Sequence, residues 1–286
     1  MFSGFIFSII KEHIMVYSTA PRSTRRKKIR STDFIEMKLA KKKISSLTCY
    51  DSSFAQILEN TSLDFVLVGD SLGNVIQGKN STLTVTVDDI AYHIKCVYSY
   101  LQTPLLVADM PFASTGVTLQ QTMENVKKLI QSGAEAVKIE GASPEIISDI
   151  SYLTSHGIPV MGHIGLQPQS VHAVGGYKLQ GKDGSSKVRL LEEAKKLQAA
   201  GCFAIVLELV DASLAETISN SIEIPTIGIG SGNRCDGNIL VLQDMLGMNS
   251  HFKPKFLKHY ANLNEIITNS IQEYCDEVVK MVSEPV

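Results

Sequence analysis

AVKIEGASPEIISDISYLTSHGIPVMGHIG, residues 136–165, opens on a short run containing Val137 and Ile139, passes through a stretch of helical length, and closes on a second short apolar run. Ser143 precedes Pro144 as a capping hydroxyl precedes a first-turn proline, and Gly157 stands where a helix would end. The reading is strand, helix, strand. Working outward, similar apolar, β-branched runs recur at 44–50, 65–70, 105–110, 159–165, 203–209, 226–230 and 239–244, which with 136–141 makes eight strand candidates. Segments of helical period lie between most of them, at 53–60, 87–101, 119–132, 144–155, 186–200 and 212–219. Thr118 supplies another cap, and Gly133 and Gly201 mark further helix ends. Repeated strand and helix units with continuously apolar strands mean an α/β fold with a parallel sheet covered by helices. Eight such units in about 240 residues predict a closed (β/α)8 TIM barrel, with an open doubly wound sheet as the lesser choice.

At 286 residues the chain can bury most of its surface around one large core. With 44% hydrophobic and 20% charged residues it is neither a disordered nor a collagen-like sequence. Its net charge is −2, yet residues 1–43 hold 11 Lys or Arg against 3 Asp or Glu, so the rest of the chain is acidic. An acidic body argues against a nucleic-acid partner. No run reaches the roughly 18 apolar residues of a membrane span. Five cysteines with no C-x-x-C pair fit a reducing, cytoplasmic setting. Residues 1–30, with the basic run 22–30, are expected to form a poorly ordered extension in which Met15 is a second possible start, and 31–286 a single barrel domain.

A barrel gathers its strand ends at one mouth, where such enzymes carry their chemistry. The strand candidates end on Asp70, on Asp109, on Lys138 with Glu140, on His163 and on Glu208. One polar residue after an apolar run marks an exit into water. Six together, beside runs that rarely bury an unpartnered charge, mark a site. Asp70, Asp109 and Glu140 make an oxygen-donor set that suits Mg²⁺ better than Zn²⁺ and would repel itself without a cation. Lys138 and Glu140 share one strand face, and a lysine facing a barrel lumen either meets an anionic substrate or pairs with a neighbouring carboxylate. The long connections 71–86 and 166–185 leave from the same ends and read as substrate loops. The glycines at 228, 230 and 232 either cradle a phosphate or serve a tight turn. His93, His156, His251 and His259 read as surface or helix residues rather than ligands.

From VLVGDSLGNVIQGKNSTLTVTVDDIAYH (66–93) the sequence resembles the ketopantoate hydroxymethyltransferase family. ADMPF (108–112), VKIEG (137–141), GHIGLQPQSV (162–171), GGYKLQG (175–181), VLELV (206–210), IPTIGIGSG (224–232) and CDGNILVLQDMLG (235–247) continue the likeness in order, over about residues 30–260. The resemblance implies a TIM barrel of the phosphoenolpyruvate mutase and isocitrate lyase type, a bound Mg²⁺, and 5,10-methylenetetrahydrofolate as one-carbon donor to 3-methyl-2-oxobutanoate. It also implies roles. Asp70, Ser71, Asp109 and Lys138 would bind the 2-oxo acid, Asp70, Asp109 and Glu140 would hold the metal directly or through water, Glu208 would be the base, and His163 would line the same pocket. Family members form cytoplasmic homodecamers. Asn74, Thr84 and Leu209 depart from the common pattern beside functional residues. Two other readings share parts of this chemistry: a Mg²⁺-dependent C–C or P–C lyase of the same superfamily, which the GGYKLQG loop argues against, and a barrel scaffold without catalysis, which would be expected to lack Glu208 or a metal carboxylate.

Overall fold

The computed structural model describes residues 26–170, 176, 178–249 and 252–283. Among them, eight parallel strands close in chain order: β1 (Ile44–Thr48), β2 (Phe65–Val68), β3 (Leu105–Asp109), β4 (Ala136–Glu140), β5 (Val160–Gly165), β6 (Ala204–Glu208), β7 (Thr226–Ile229) and β8 (Gly237–Leu240). β8 returns to β1 with Gly237 opposite Ile44. The helices are α1 (Asp33–Leu39), α2 (Ser52–Glu59), α3 (Leu72–Val75), α4 (Val87–Tyr98), α5 (Leu119–Gln131), α6 (Pro144–Ser155), α7 (Gly184–Ala199), α8 (Ala212–Ser221), α9 (Leu242–Met245) and α10 (Leu263–Ser283).

Strand alternation separates two apolar regions. Ala136 of β4, Leu105 and Val107 of β3, and Ala204 and Val206 of β6 fill the lumen with Phe65 and Met161. Their neighbours Val137, Ile139, Leu106, Ile205 and Leu207 face outward and pack with the inner stripes of the helices, such as Val126 and Leu129 of α5. α1 closes the lower end of the lumen, where Phe34 meets Phe203 edge-on at 5.1 Å and Phe65 at 5.8 Å. Full burial of that ring contributes about 2–3 kcal/mol. Residues 26–30, grouped with the extension in the sequence reading, lie against the barrel: Arg26 reaches the carbonyl of Leu63 and Asp64, Lys28 pairs with Glu135 at 2.6 Å, and the Ile29 amide donates to the Thr103 carbonyl.

The expected caps are present, with Thr118 accepting from the Gln121 amide and Ser143 from that of Ile146 ahead of Pro144. Three stretches differ from expectation. The eighth strand runs Gly237–Leu240 rather than 239–244, because the Leu242 amide turns to the Thr48 hydroxyl at 3.1 Å and the chain winds into α9. The connection 71–86 begins with the single turn α3. In 166–185, Pro168–Ser170 form a 3₁₀ turn and Asp183 caps α7 two residues earlier than expected. Residues 171–175 and 177, part of GGYKLQG among them, lie outside the described residues, as do residues 1–25 and His251.

Candidate active site

The alternation that buries Ala136 on the lumen side places Lys138 and Glu140 above it, and the same parity raises Asp109 over Val107, His163 over Met161 and Glu208 over Val206. Asp70 lies just beyond β2, its amide donating to Asp109 Oδ2 at 3.1 Å. Lys138 Nζ stands at 2.9 Å from Asp109 Oδ1, 3.5 Å from Glu140 Oε1 and 3.1 Å from His163 Nδ1. His163 Nε2 is 2.9 Å from the Leu166 carbonyl and 3.5 Å from Glu208 Oε2. His163 Nδ1 also lies 3.4 Å from Glu140 Oε1, so the ring bridges the Lys138 cluster and Glu208. Ser71 joins through Tyr50, whose hydroxyl lies 2.7 Å from the serine Oγ and whose carbonyl meets His93 Nδ1 at 2.6 Å. The six strand-end residues and Ser71 therefore share one mouth, and Lys138 is already paired with carboxylates.

Four carboxylates face one ammonium here. Burial and the charges of Asp109 and Glu140 push the Asp70 carboxyl well above its ordinary range, and burial with Glu140 raises Asp109 against the pull of Lys138. Burial also opposes the charge of Lys138, but Asp109, Glu140 and Asp70 outweigh it and raise its pKa. Burial opposes Glu140 too, yet Lys138 and His163 hold it down at about 2. Glu208, farther from the ammonium, is pushed by burial up to about 7, with His163 moderating the shift. A carboxylate at that value is suited to accept a proton near neutral pH.

The mouth opens into a cavity of about 740 Å³, bounded by these residues and by Thr48, Ile239, Val241, Asp244, Phe252 and Phe256 among others. Gln169 of the 166–185 connection spans it, its side-chain amide donating to Asp70 Oδ2 and the Met110 carbonyl at 3.0 Å each and its backbone amide to Glu140 Oε2 at 3.3 Å. Among the described residues no three Asp, Glu, His or Cys side chains converge closely enough to enclose a metal ion as they stand. Lys138 lies between Asp109 and Glu140, and both oxygens of each carboxylate already have a partner. Asp70 and Asp109 stand next to each other, and an adjacent pair of carboxylates fits Mg²⁺, which takes one or two protein carboxylates together with water and substrate oxygens.

Sequence reasoning missed Tyr50, Gln169 and Asp244. The strand-end rule, applied to the candidates 44–50 and 239–244, would have reached Tyr50 and Asp244; Gln169 comes from a loop. Asp244 is buried in the cavity wall, and burial raises its carboxyl to about 6 against the influence of His259. His259 thus faces a carboxylate and is no simple surface residue, whereas His156 stacks on Tyr152 at the exposed end of α6. The glycines in and after β7 serve packing: a Cβ at Gly228 would stand 3.0 Å from Cys235 Sγ, and one at Gly230 2.6 Å from Leu209 Cδ2. Ser231, which follows Gly230, is buried, accepting from the Val210 amide and donating to the Leu207 carbonyl.

Comparison with known proteins bears on the family and the fold. The chain is 51% identical over 246 residues to the 3-methyl-2-oxobutanoate hydroxymethyltransferase of Clostridium botulinum (strain Alaska E43 / Type E3), covering 86% of this chain and 89% of that protein. Its fold is similar to that of phosphoenolpyruvate phosphomutase from Streptomyces platensis subsp. rosaceus (TM-score 0.56, 13% identity, 88% of this chain and 99% of that one). A 2,3-dimethylmalate lyase of the PEP mutase/isocitrate lyase superfamily gives a TM-score of 0.53 at 13% identity, covering 88% and 98%. These two likenesses bear on the barrel alone. The family model for ketopantoate hydroxymethyltransferase matches residues 28–282, and the chain belongs to that family.

Proposed function

We infer that this chain transfers a hydroxymethyl group to 3-methyl-2-oxobutanoate, taking the carbon from 5,10-methylenetetrahydrofolate and yielding 2-dehydropantoate in pantothenate biosynthesis. The observation that carries the mechanism is Glu208, a carboxyl raised to about 7 at the edge of a cavity that also holds Asp70, Asp109 and Lys138. The carbon at C3 must lose its hydrogen before it can form a bond. Glu208 takes that proton, with His163 Nε2 beside its carboxylate orienting it. The resulting carbanion, delocalised onto the 2-oxo group, bonds to the one-carbon unit as one of its two carbon–nitrogen bonds to the folate breaks; water displaces the second nitrogen and supplies the hydroxyl, and tetrahydrofolate leaves carrying the proton from C3 and one from water.

Asp70 and Asp109 would hold Mg²⁺, with Glu140 beside them as a further oxygen donor. The raised carboxyls of Asp70 and Asp109 reflect negative charge crowded into a buried mouth, and that crowding favours an added cation when an anionic 2-oxo acid binds. When bound, the ion supplies Lewis-acid stabilisation of negative charge on the substrate oxygens. Lys138 and the Ser71 hydroxyl, fixed by Tyr50, orient the carboxylate end of the substrate. Among the described residues no helix is long and apolar enough to cross a membrane, in keeping with a cytoplasmic enzyme. A homo-oligomer, a decamer by resemblance to the family, is supported by α10, which is exposed along its described side chains and shows Ile266, Ile271, Tyr274 and Met281 each more than half exposed.

Enolisation tests this reading directly. In heavy water with Mg²⁺, the protein should exchange the C3 hydrogen of 3-methyl-2-oxobutanoate, followed by proton NMR. Exchange no faster than in buffer with Mg²⁺ alone would count against Glu208 as the base.

A further inference from the structure

The cavity is lined unevenly. β2 to β6 bring the charged groups to it, while the adjoining arc of β7, β8 and β1 brings Ile229, Ile239, Leu240 and Thr48, and the chain beyond α9 adds Phe252 and Phe256. Both phenylalanines are more than 40% exposed although they border this space. At about 740 Å³ the cavity is of the size that takes a ligand of drug dimensions. A five-carbon oxo acid occupies the charged part and leaves the apolar part open.

One acidic group stands in that apolar wall. Asp244 is 7% exposed, and its Oδ1 is buried with no hydrogen-bond partner among the described residues. The same holds for Nε2 of His259, the group whose charge acts on Asp244. A buried acceptor without a partner costs stability, so its place in a ligand cavity points to a donor that arrives with the ligand. A metal ion would need further oxygen ligands, and Val241, Phe252 and Phe256 supply none. A planar heterocycle carrying two adjacent N–H donors matches both the carboxylate and the aromatic wall.

Resting on the folate reading above, we propose that Asp244 binds the pterin ring of the folate cosubstrate, accepting hydrogen bonds from its N3–H and 2-amino group, with Phe252 and Phe256 against the ring. The carboxylates of the folate tail then lie away from Asp244, toward solvent.

The test is titration of the full-length protein with tetrahydrofolate by calorimetry, alongside Asp244→Asn and a 2-deamino analogue of tetrahydrofolate. Asp244→Asn should weaken tetrahydrofolate binding about 10- to 100-fold, the range for hydrogen bonds to a charged group, while half-saturation by 3-methyl-2-oxobutanoate in the assay moves less than twofold. Its thermal midpoint should stay level or rise, since an unpartnered buried carboxylate has been removed. The wild type should bind the 2-deamino analogue weaker by a similar factor, and the variant should show little further loss, which tests the contact without relying on the variant's folding. Equal binding of tetrahydrofolate by variant and wild type, or of both ligands by the wild type, overturns the assignment and leaves the folate reading intact. A wild type that does not bind tetrahydrofolate overturns both.

Discussion

At pH 8 an ionised Glu208 sits where burial disfavours its charge, its pKa standing at about 7 against 4.5 for a free glutamate. The folded state binds this proton more tightly than the unfolded chain does. Its stabilising contribution is therefore full below about pH 4.5 and is lost as pH rises through about 7, a change of about 3 kcal/mol. Asp244 has the same sign, losing its contribution as pH rises through about 6. Glu208→Gln should then lower turnover by roughly 10²- to 10⁴-fold while raising the metal-free thermal midpoint at pH 8 by several degrees. Its midpoint should also vary less between pH 5 and 8 than that of the wild type. Calorimetric scans across that range check this, and a variant whose midpoint follows the wild type at every pH would show that Glu208 carries no such penalty. The residue Leu209 that follows has a positive φ of 46°, a conformation costly for a branched side chain, and its amide is held by the Ile229 carbonyl.

Among the elements, the end of β5 depends on closeness to β6. A Cβ on Gly165, whose φ is +99°, would stand 2.3 Å from the Glu208 carbonyl oxygen and 2.6 Å from Val210 Cγ2. Gly165→Ala should cost roughly 2–4 kcal/mol and displace the end of β6, lowering turnover more than tenfold. Chemical denaturation with steady-state rates measures both, and a wild-type midpoint with wild-type turnover would contradict the packing described. Strands such as AVKIE were legible because both faces are buried, so an apolar run with polar residues at its upper end is a local signature of a lumen strand. The same rule located Asp109, Lys138, Glu140, His163 and Glu208, whose places follow from parity alone. It misplaced the end of β8, where a hydroxyl on β1 captures the Leu242 amide, an interaction between residues 194 positions apart. Gln169 was illegible for a like reason: its partners are set by how a loop folds over the barrel. α10 was legible by its period, since Ile267, Ile271, Tyr274, Val278 and Met281 recur at helical spacing.

For the molecule as a whole, the proposed assembly is tested at α10, whose apolar side chains are exposed. Replacing Ile266 and Ile271 with Glu should reduce the particle mass in multi-angle light scattering while leaving the barrel's circular dichroism unchanged. An unaltered mass would place the subunit contact elsewhere. In the proposed reaction the carboxylates around Lys138 call for an added cation, and the open apolar part of the cavity leaves room for a second, larger substrate. Both dependencies meet in one assay: purified protein with 3-methyl-2-oxobutanoate and 5,10-methylenetetrahydrofolate, with Mg²⁺ or with chelator, followed by mass spectrometry of the acid product. The expected result is 2-dehydropantoate formed one for one with tetrahydrofolate in Mg²⁺, with little product in chelator and little from Asp109→Asn in either condition. Folded protein that forms no 2-dehydropantoate with both substrates and Mg²⁺ present would contradict the account.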